Sequence, residues 1–277
     1  MDLGLPRHPT LNSKNGNLSH RHARHRRAAS IPLGAILPPR LAYAQKHNLD
    51  LIVVNDPLDR SQRGLSRSIA WQKCLVLSQD WSAQYQQIVL MDCDIAINHV
   101  DAPNIFDQVG PTSVGGVISC SQIHADLRPI LRAKRWPYER AGGRYWQADL
   151  DSCYQMYGLV PRPEGIIQTG VLVANPQHHG SIFRTVYDTP YPVETTTYEQ
   201  TPLSHALLTA GLFQPIDTRF NSVFHDTALV YYPFVLDQQN PLHDALLTVS
   251  IRTQFANNFF LHFAHTPDWM RFLAPAP

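Results

Sequence analysis

A chain of 277 residues, 44% hydrophobic and 16% charged, can bury a sizeable core and is too poor in charge to be a disordered polyelectrolyte. Its net charge of +1 is unevenly placed: residues 1–30 hold six of the 23 Lys/Arg and one of the 22 acids, leaving 17 bases and 21 acids beyond them. A mildly acidic body argues against duplex-DNA binding, which needs a basic face.

Four cysteines without a CxxC spacing fit reduced thiols. The sequence shows no apolar signal-peptide core and no run of about 18 apolar residues, so a cytoplasmic protein is expected.

Residues 1–30 form a polar segment rich in Asn, His and Arg with no hydrophobic period. It is read as a disordered leader; the functional alternative is an electrostatic tether, peripheral to a membrane with anionic lipid or bound to RNA. Order is expected from residue 31 to 277, in one domain. "GAILPPRLAYAQKHNLD" predicts a helix after its two prolines, with Leu41, Tyr43 and Ala44 inward. "LDLIVVND" is a short continuous apolar run, the pattern of a strand covered on both faces. "RGLSRSIAWQKCLVLSQDW" predicts one helix capped by Ser66, with Ile69, Trp71, Leu75 and Leu77 apolar. "QQIVLMDCD" is the next buried strand, and this strand–helix–strand alternation implies an α/β fold with a mixed, mostly parallel central sheet. "VGGVISC" reads as a strand. Residues 121–164 read as irregular, with Trp136, Tyr138, Tyr145 and Trp146. "EGIIQTGVLVANP" reads as a strand pair or a strand broken at Gly170, and "SIFRTVYDT" as a helix. "TYEQTPLSHALLTAGLF" is a helix stopped at Gly211, "PIDTRFNSVF" is extended, and "NNFFLHFAHTPD" is a last strand ending in histidines.

The chemistry concentrates in "IVLMDCDIAIN", residues 88–98. A greasy strand stops on Asp92 and Asp94, whose Cα atoms lie at most about 7 Å apart at about 3.3 Å per residue. Aspartates are poor strand residues and costly to bury unpaired. They can be solvated turn caps. They can be the nucleophile and acid of a haloacid-dehalogenase-type phosphotransferase, although that pattern favours a domain's first strand. They can also hold a divalent cation against a diphosphate, since Mg²⁺ and Mn²⁺ bind through one or two carboxylates plus phosphate oxygens.

The order of motifs resembles the GT-A fold glycosyltransferases, nearest to the retaining galactosyl-, mannosyl- and xylosyltransferases. "LAYAQKHNLDLIVVND" is similar to the helix and strand ahead of the nucleotide in that family, "WQKCLVL" to its W-x-K helix, and "IVLMDCDIAIN" to its strand plus DxD. "GIIQTGVLVANP", "TTYEQTPLSHALL" and "LHFAH" are similar, in order, to its N-[ST]-G, D-x-Q and H-F-x-G segments. The likeness spans residues 38–266.

The resemblance implies a single GT-A domain with a nucleotide-sugar half over residues 31–120 and an acceptor and metal half over 121–277. It implies a transferase that moves a hexose or pentose from a nucleotide-sugar donor to a hydroxyl acceptor, glycan or glycolipid, with retention and with Mn²⁺ or Mg²⁺. The metal ligands would be Asp92, Asp94 and His262. The donor would be met by Lys73, Asp92, Gln168, Thr169 and Gly170, and the reacting sugar by Glu199 and Gln200. The aromatic stretch 136–157 would offer an acceptor platform. Gln168 stands where the family has Asn, and His265 where it has Gly; a counterpart of the family's first strand is not evident ahead of residue 38. A weakly active sugar-nucleotide-binding protein is the other alternative.

Overall fold

A computed structural model describes residues 33–119, 150–191, 197–264 and 266–273. The basic segment 1–30, the aromatics Trp136, Tyr138, Tyr145 and Trp146, and His265 lie outside the described residues.

The chain is mixed α/β. It opens with α1, Leu33–Lys46, which takes Pro38 and Pro39 into its interior. Tyr43 and Ala44 are buried as expected, but Leu41 faces outward at 45% exposure. Residues 51–54, expected as a strand covered on both faces, join no sheet among the described residues; each is 38–48% exposed. The expected long second helix is broken at Arg67. A short α2, Gln62–Ser66, is capped by Ser61, and a 3₁₀ helix, Ile69–Ser78, is capped by Ser68, so Ser66 caps neither. Each cap accepts a backbone N–H that the helix start leaves over. Within the second piece Trp71, Cys74, Leu75 and Leu77 are buried, while Ile69 is exposed.

Strands β1, Ile88–Met91, and β2, Ile95–Ile97, flank the two aspartates, and β3, Val114–Ile118, follows. After α3, Leu150–Met156, comes β4, Ile167–Ala174, which runs unbroken through Gly170. Helix α4 spans Pro176–Asp188, with the Asn175 side chain accepting from two backbone N–H groups and Pro176 in the first turn, where its missing donor costs nothing. Helix α5 spans Gln200–Thr209, with Leu203 and Leu207 buried and Gly211 at φ +66° just beyond its end. β5, Phe213–Pro215, a 3₁₀ turn over Thr218–Asn221, β6, Ser222–Val223, and α6, Phe224–Tyr231, follow. Helix α7, His243–Asn257, leads into β7, Phe260–His262.

Two sheets result. The larger has strand order β1-β4-β3-β5 and the smaller β2-β7-β6. β4 is antiparallel to β1 and β3, and β2 to β7; β3–β5 and β6–β7 are parallel. The apolar continuity of β4 has a simple cause: both its faces are covered. Leu172 and Ala174 pack on one side with Trp71, Leu75, Phe183 and Leu203. Val171 and Val173 pack on the other with Tyr43, Ile95, Phe220 and Phe260.

This topology places the aspartates. β1 ends at Met91 in one sheet and β2 begins at Ile95 in the other, so Asp92–Asp94 is the bridge between the sheets. Asp92 N–H donates to Gly170 O at 2.9 Å, extending the β1–β4 pairing by one residue. Phe263 N–H donates to Asp94 O at 2.9 Å, extending β2–β7. Each aspartate is thereby tied to a different sheet.

Candidate active site

Lys73 comes from the 3₁₀ helix 69–78, Thr169 and Gly170 from β4, and Glu199 from the turn that starts α5. Lys73 Nζ lies 2.7 Å from Asp92 Oδ1, 3.2 Å from Glu199 Oε1 and 2.7 Å from Thr169 O. An ammonium has three hydrogens, and three acceptors take them. Thr169 Oγ1 also donates to Glu199 Oε1 at 2.9 Å. Burial alone would lower the Lys73 ammonium, but Asp92 and Glu199 hold it above the ordinary lysine range. Burial raises the Glu199 carboxyl above the usual range, against the pull of Lys73.

Glu199 occupies the N-cap position of α5, yet its side chain caps nothing there. Tyr198 before it has φ +44°, an outlier for a bulky residue. The Tyr198 carbonyl accepts from Tyr157 OH at 2.7 Å, and Gln200 N–H closes onto Thr197 O at 2.9 Å. The surroundings therefore fix a backbone that the chain would not choose alone, and that backbone aims Glu199 at Lys73.

Asp94 faces a different partner. His262 Nε2 lies 3.4 Å from Asp94 Oδ1, because the β2–β7 register sets Ile95 opposite His262. The other ring nitrogen, Nδ1, is 2.9 Å from Asn221 Oδ1, and the Asn221 amide N–H₂ donates to Gln168 O at 3.0 Å. With its nitrogen on a carbonyl, Asn221 must offer its oxygen to the ring, so Nδ1 carries the proton and donates. Nε2 then presents a lone pair to a carboxylate. Two acceptors at that distance need a cation between them, either a proton on Nε2 or a metal. Burial opposes charge on Asp94, yet the His262 ring beside it holds its carboxyl below the usual carboxylate range. Gly170 makes room here: a Cβ at that position would overlap the His262 ring.

Ligand atoms of Asp92, Asp94 and His262 all fall within 4.8 Å of one another. Two carboxylates and one neutral imidazole, whose tautomer is set by Asn221, suit Mn²⁺ well and Mg²⁺ less well. The residues present therefore fit a divalent cation.

The remaining expected site residues sit at the margin of this cluster. Gln168 donates through Nε2 to Ser119 Oγ at 2.8 Å. Gln200 donates through Nε2 to Ile167 O at 3.0 Å, pinning α5 to β4. The two described tyrosines of the expected acceptor platform, Tyr154 and Tyr157, are 0% and 3% exposed and hydrogen-bonded to backbone carbonyls; they are core, not platform. Sequence reading did not single out Asn221. It sits in "RFNSV", where a lone Asn between Phe220 and Ser222 gives no signal until β7 folds beside it.

No protein-family model matches the chain, and no curated protein matches its sequence. Solved structures that resemble it include three glycosyltransferases. The bifunctional glycosyltransferase WbbM matches with TM-score 0.40 and 10% identity, over 75% of this chain and only 35% of WbbM. The galactosyltransferase LgtC, solved with donor and acceptor sugar analogues, matches with TM-score 0.37 and 12% identity, over 85% of this chain and 74% of LgtC. Mouse xyloside xylosyltransferase 1 matches with TM-score 0.35 and 15% identity, over 79% of this chain and 68% of that one. At these scores none of the three decides donor, acceptor or metal.

Among the described residues, no helix is long and apolar enough to cross a membrane.

Proposed function

We propose that the protein is a glycosyltransferase that uses a divalent cation to move a sugar from a nucleotide-sugar donor to a hydroxyl acceptor. The observation that carries this reading is the pairing of two unlike carboxylate environments across one short loop. Asp94 faces a ring lone pair, an arrangement that calls for a cation; Asp92 and Glu199, beside it, share a buried ammonium. The first environment suits a metal, and the second keeps a carboxylate close to it, held by the largely buried Lys73 ammonium.

Asp92, Asp94 and His262 would hold Mn²⁺ or Mg²⁺, which supplies charge neutralisation for a leaving diphosphate. Lys73 has all three hydrogens taken, so its proposed role is internal: it fixes Asp92 toward the metal and Glu199 toward the sugar. Glu199 would stabilise positive charge that develops on the sugar, a preorganised electrostatic role. Gly170, with no side chain, leaves the space that His262 fills. The site draws on both proposed halves of the domain, residues 31–120 for Lys73 and the aspartates, and 121–277 for the rest.

The test is a panel of UDP- and GDP-sugars, assayed for hydrolysis and transfer with Mn²⁺, with and without EDTA, on wild type and Asp94→Ala. Metal-dependent turnover of at least one donor, lost in the variant, is expected. Failure of both UDP and GDP to bind in the presence of Mn²⁺ overturns the reading.

A further inference from the structure

Helix α1 lies along the chain that follows β1, and three of its side chains, with His47 just beyond its end, bond to that segment's backbone. Lys46 Nζ donates to His99 O, Val100 O and Ala102 O at 3.2, 2.8 and 3.1 Å. His47 Nε2 is 3.1 Å from Ala102 O. Tyr43 OH donates to Pro103 O at 2.8 Å and accepts from Ile105 N–H at 3.0 Å. Arg40 serves the end nearest the aspartates: its Nη2 reaches Asp92 O at 2.7 Å, Cys93 O at 3.1 Å and Ile95 O at 3.0 Å.

The Arg40 contacts differ from the others in what they hold. Asp94 O is already satisfied by Phe263 N–H, whereas the carbonyls on either side of Asp94 converge on one guanidinium nitrogen. Arg40 Nε is buried without a partner, so the pull of these carbonyls prevails over satisfaction of the guanidinium itself. Asp92 belongs to one sheet and Asp94 to the other, and no strand ladder sets the distance between them.

We infer that Arg40 is a positioning residue for divalent-cation binding: it folds the loop 92–95 so that Asp92 and Asp94 turn toward one ion, without being a ligand. The inference rests on the metal reading given above. It makes a prediction opposite in sign to simple electrostatics. Arg40 is a positive charge beside a cation site, so its removal should tighten metal binding if only charge mattered. If Arg40 positions the ligands, its removal should weaken binding, by about 10–100-fold as for other groups that orient metal ligands.

The experiment is a Mn²⁺ titration of the full chain, with free Mn²⁺ followed by electron paramagnetic resonance and folding followed by circular dichroism. Wild type, Arg40→Gln, Arg40→Lys and Lys46→Met are compared. Arg40→Gln is expected to bind about 10–100-fold more weakly, with Arg40→Lys in between. Lys46→Met, which removes three similar contacts farther along the same helix, is expected to lower the melting temperature and leave Mn²⁺ affinity within about twofold. If wild type binds no Mn²⁺, the metal reading itself fails. If wild type binds and Arg40→Gln binds as tightly or more tightly, only the Arg40 inference fails. Should Arg40→Gln not fold, wild-type affinity in Arg40→Lys overturns it, as does a loss in Lys46→Met equal to that in the Arg40 variants.

Discussion

Asp92 and Asp94 are two residues apart and chemically identical, yet they sit in opposite electrostatic settings. Asp92 has an ammonium at 2.7 Å, and that ammonium is also shared with Glu199. Asp94 has an imidazole nitrogen at 3.4 Å whose tautomer is set by Asn221. One half of the site is electrostatically closed by the protein's own cation. In the proposed reading the other half takes its cation from solution. The difference teaches that a DxD pair need not act as a symmetric claw: here the fold hands each carboxylate to a different sheet and a different partner.

The sharpest break removes the open half. Asp94→Ala should abolish measurable Mn²⁺ binding and all metal-dependent turnover while leaving the far-ultraviolet circular dichroism intact. Retained affinity would mean that Asp92 alone suffices, and the comparison would collapse.

The next largest effect should come from the closed half, and it should fall on stability. Lys73→Met leaves Glu199, 4% exposed, without its cation. Removing one partner of a buried pair costs about 3–5 kcal/mol. Denaturant unfolding should show that loss, and Lys73→Met/Glu199→Gln should recover a large part of it, because the uncompensated carboxylate is gone. The pH dependence has a definite sign. The folded-state lysine is held above its ordinary value, so its stabilisation is fully present below about pH 10.4 and is lost as pH rises through the higher folded value. Lys73→Met should flatten that alkaline limb. An unchanged limb would show that Lys73 is not the closing charge.

The sequence makes much of this site legible, and where it misleads, the reason is physical. "IVLM" and "LIVV" carry the same apolar signal. The first becomes β1 because β4 offers it an edge from Ala174 to Val171. The second, residues 51–54, pairs with no strand among the described residues and stays 38–48% exposed. An apolar run states a willingness to pair; the partner is a tertiary fact. Lys73, Asp92, Thr169, Glu199, Asp94 and His262 do converge, since each lies on or beside an element whose type could be read from pattern. Asn221 and Arg40 were not legible, because their roles depend on which carbonyl or ring nitrogen is brought to them. The broken helix at Arg67 is a similar case: Ser61 and Ser68 compete to cap, and both succeed.

A finer probe of the open half is Asn221. Asn221→Leu frees the His262 ring to take the other tautomer and should weaken Mn²⁺ binding about 10–100-fold. Asn221→Asp keeps an oxygen acceptor for Nδ1–H and should retain most of the affinity. Equal losses in the two variants would indicate damaged packing and no tautomer control.

The smallest and most diagnostic change is Gly170→Ala, because this glycine touches both halves. Its carbonyl accepts the Asp92 N–H, while its Cα faces the His262 ring. A methyl group there must push the ring, since the β4 backbone is clamped between β1 and β3. Overpacking of this kind costs about 1–3 kcal/mol. If the halves are independent, Mn²⁺ affinity falls with the displaced imidazole, while the Lys73–Glu199 coupling, measured by a double-mutant cycle in the Gly170→Ala background, keeps its wild-type value. A coupling energy that falls together with metal affinity would show that the Asp92 N–H bond to Gly170 transmits strain from one carboxylate to the other, and the two halves would then be one unit.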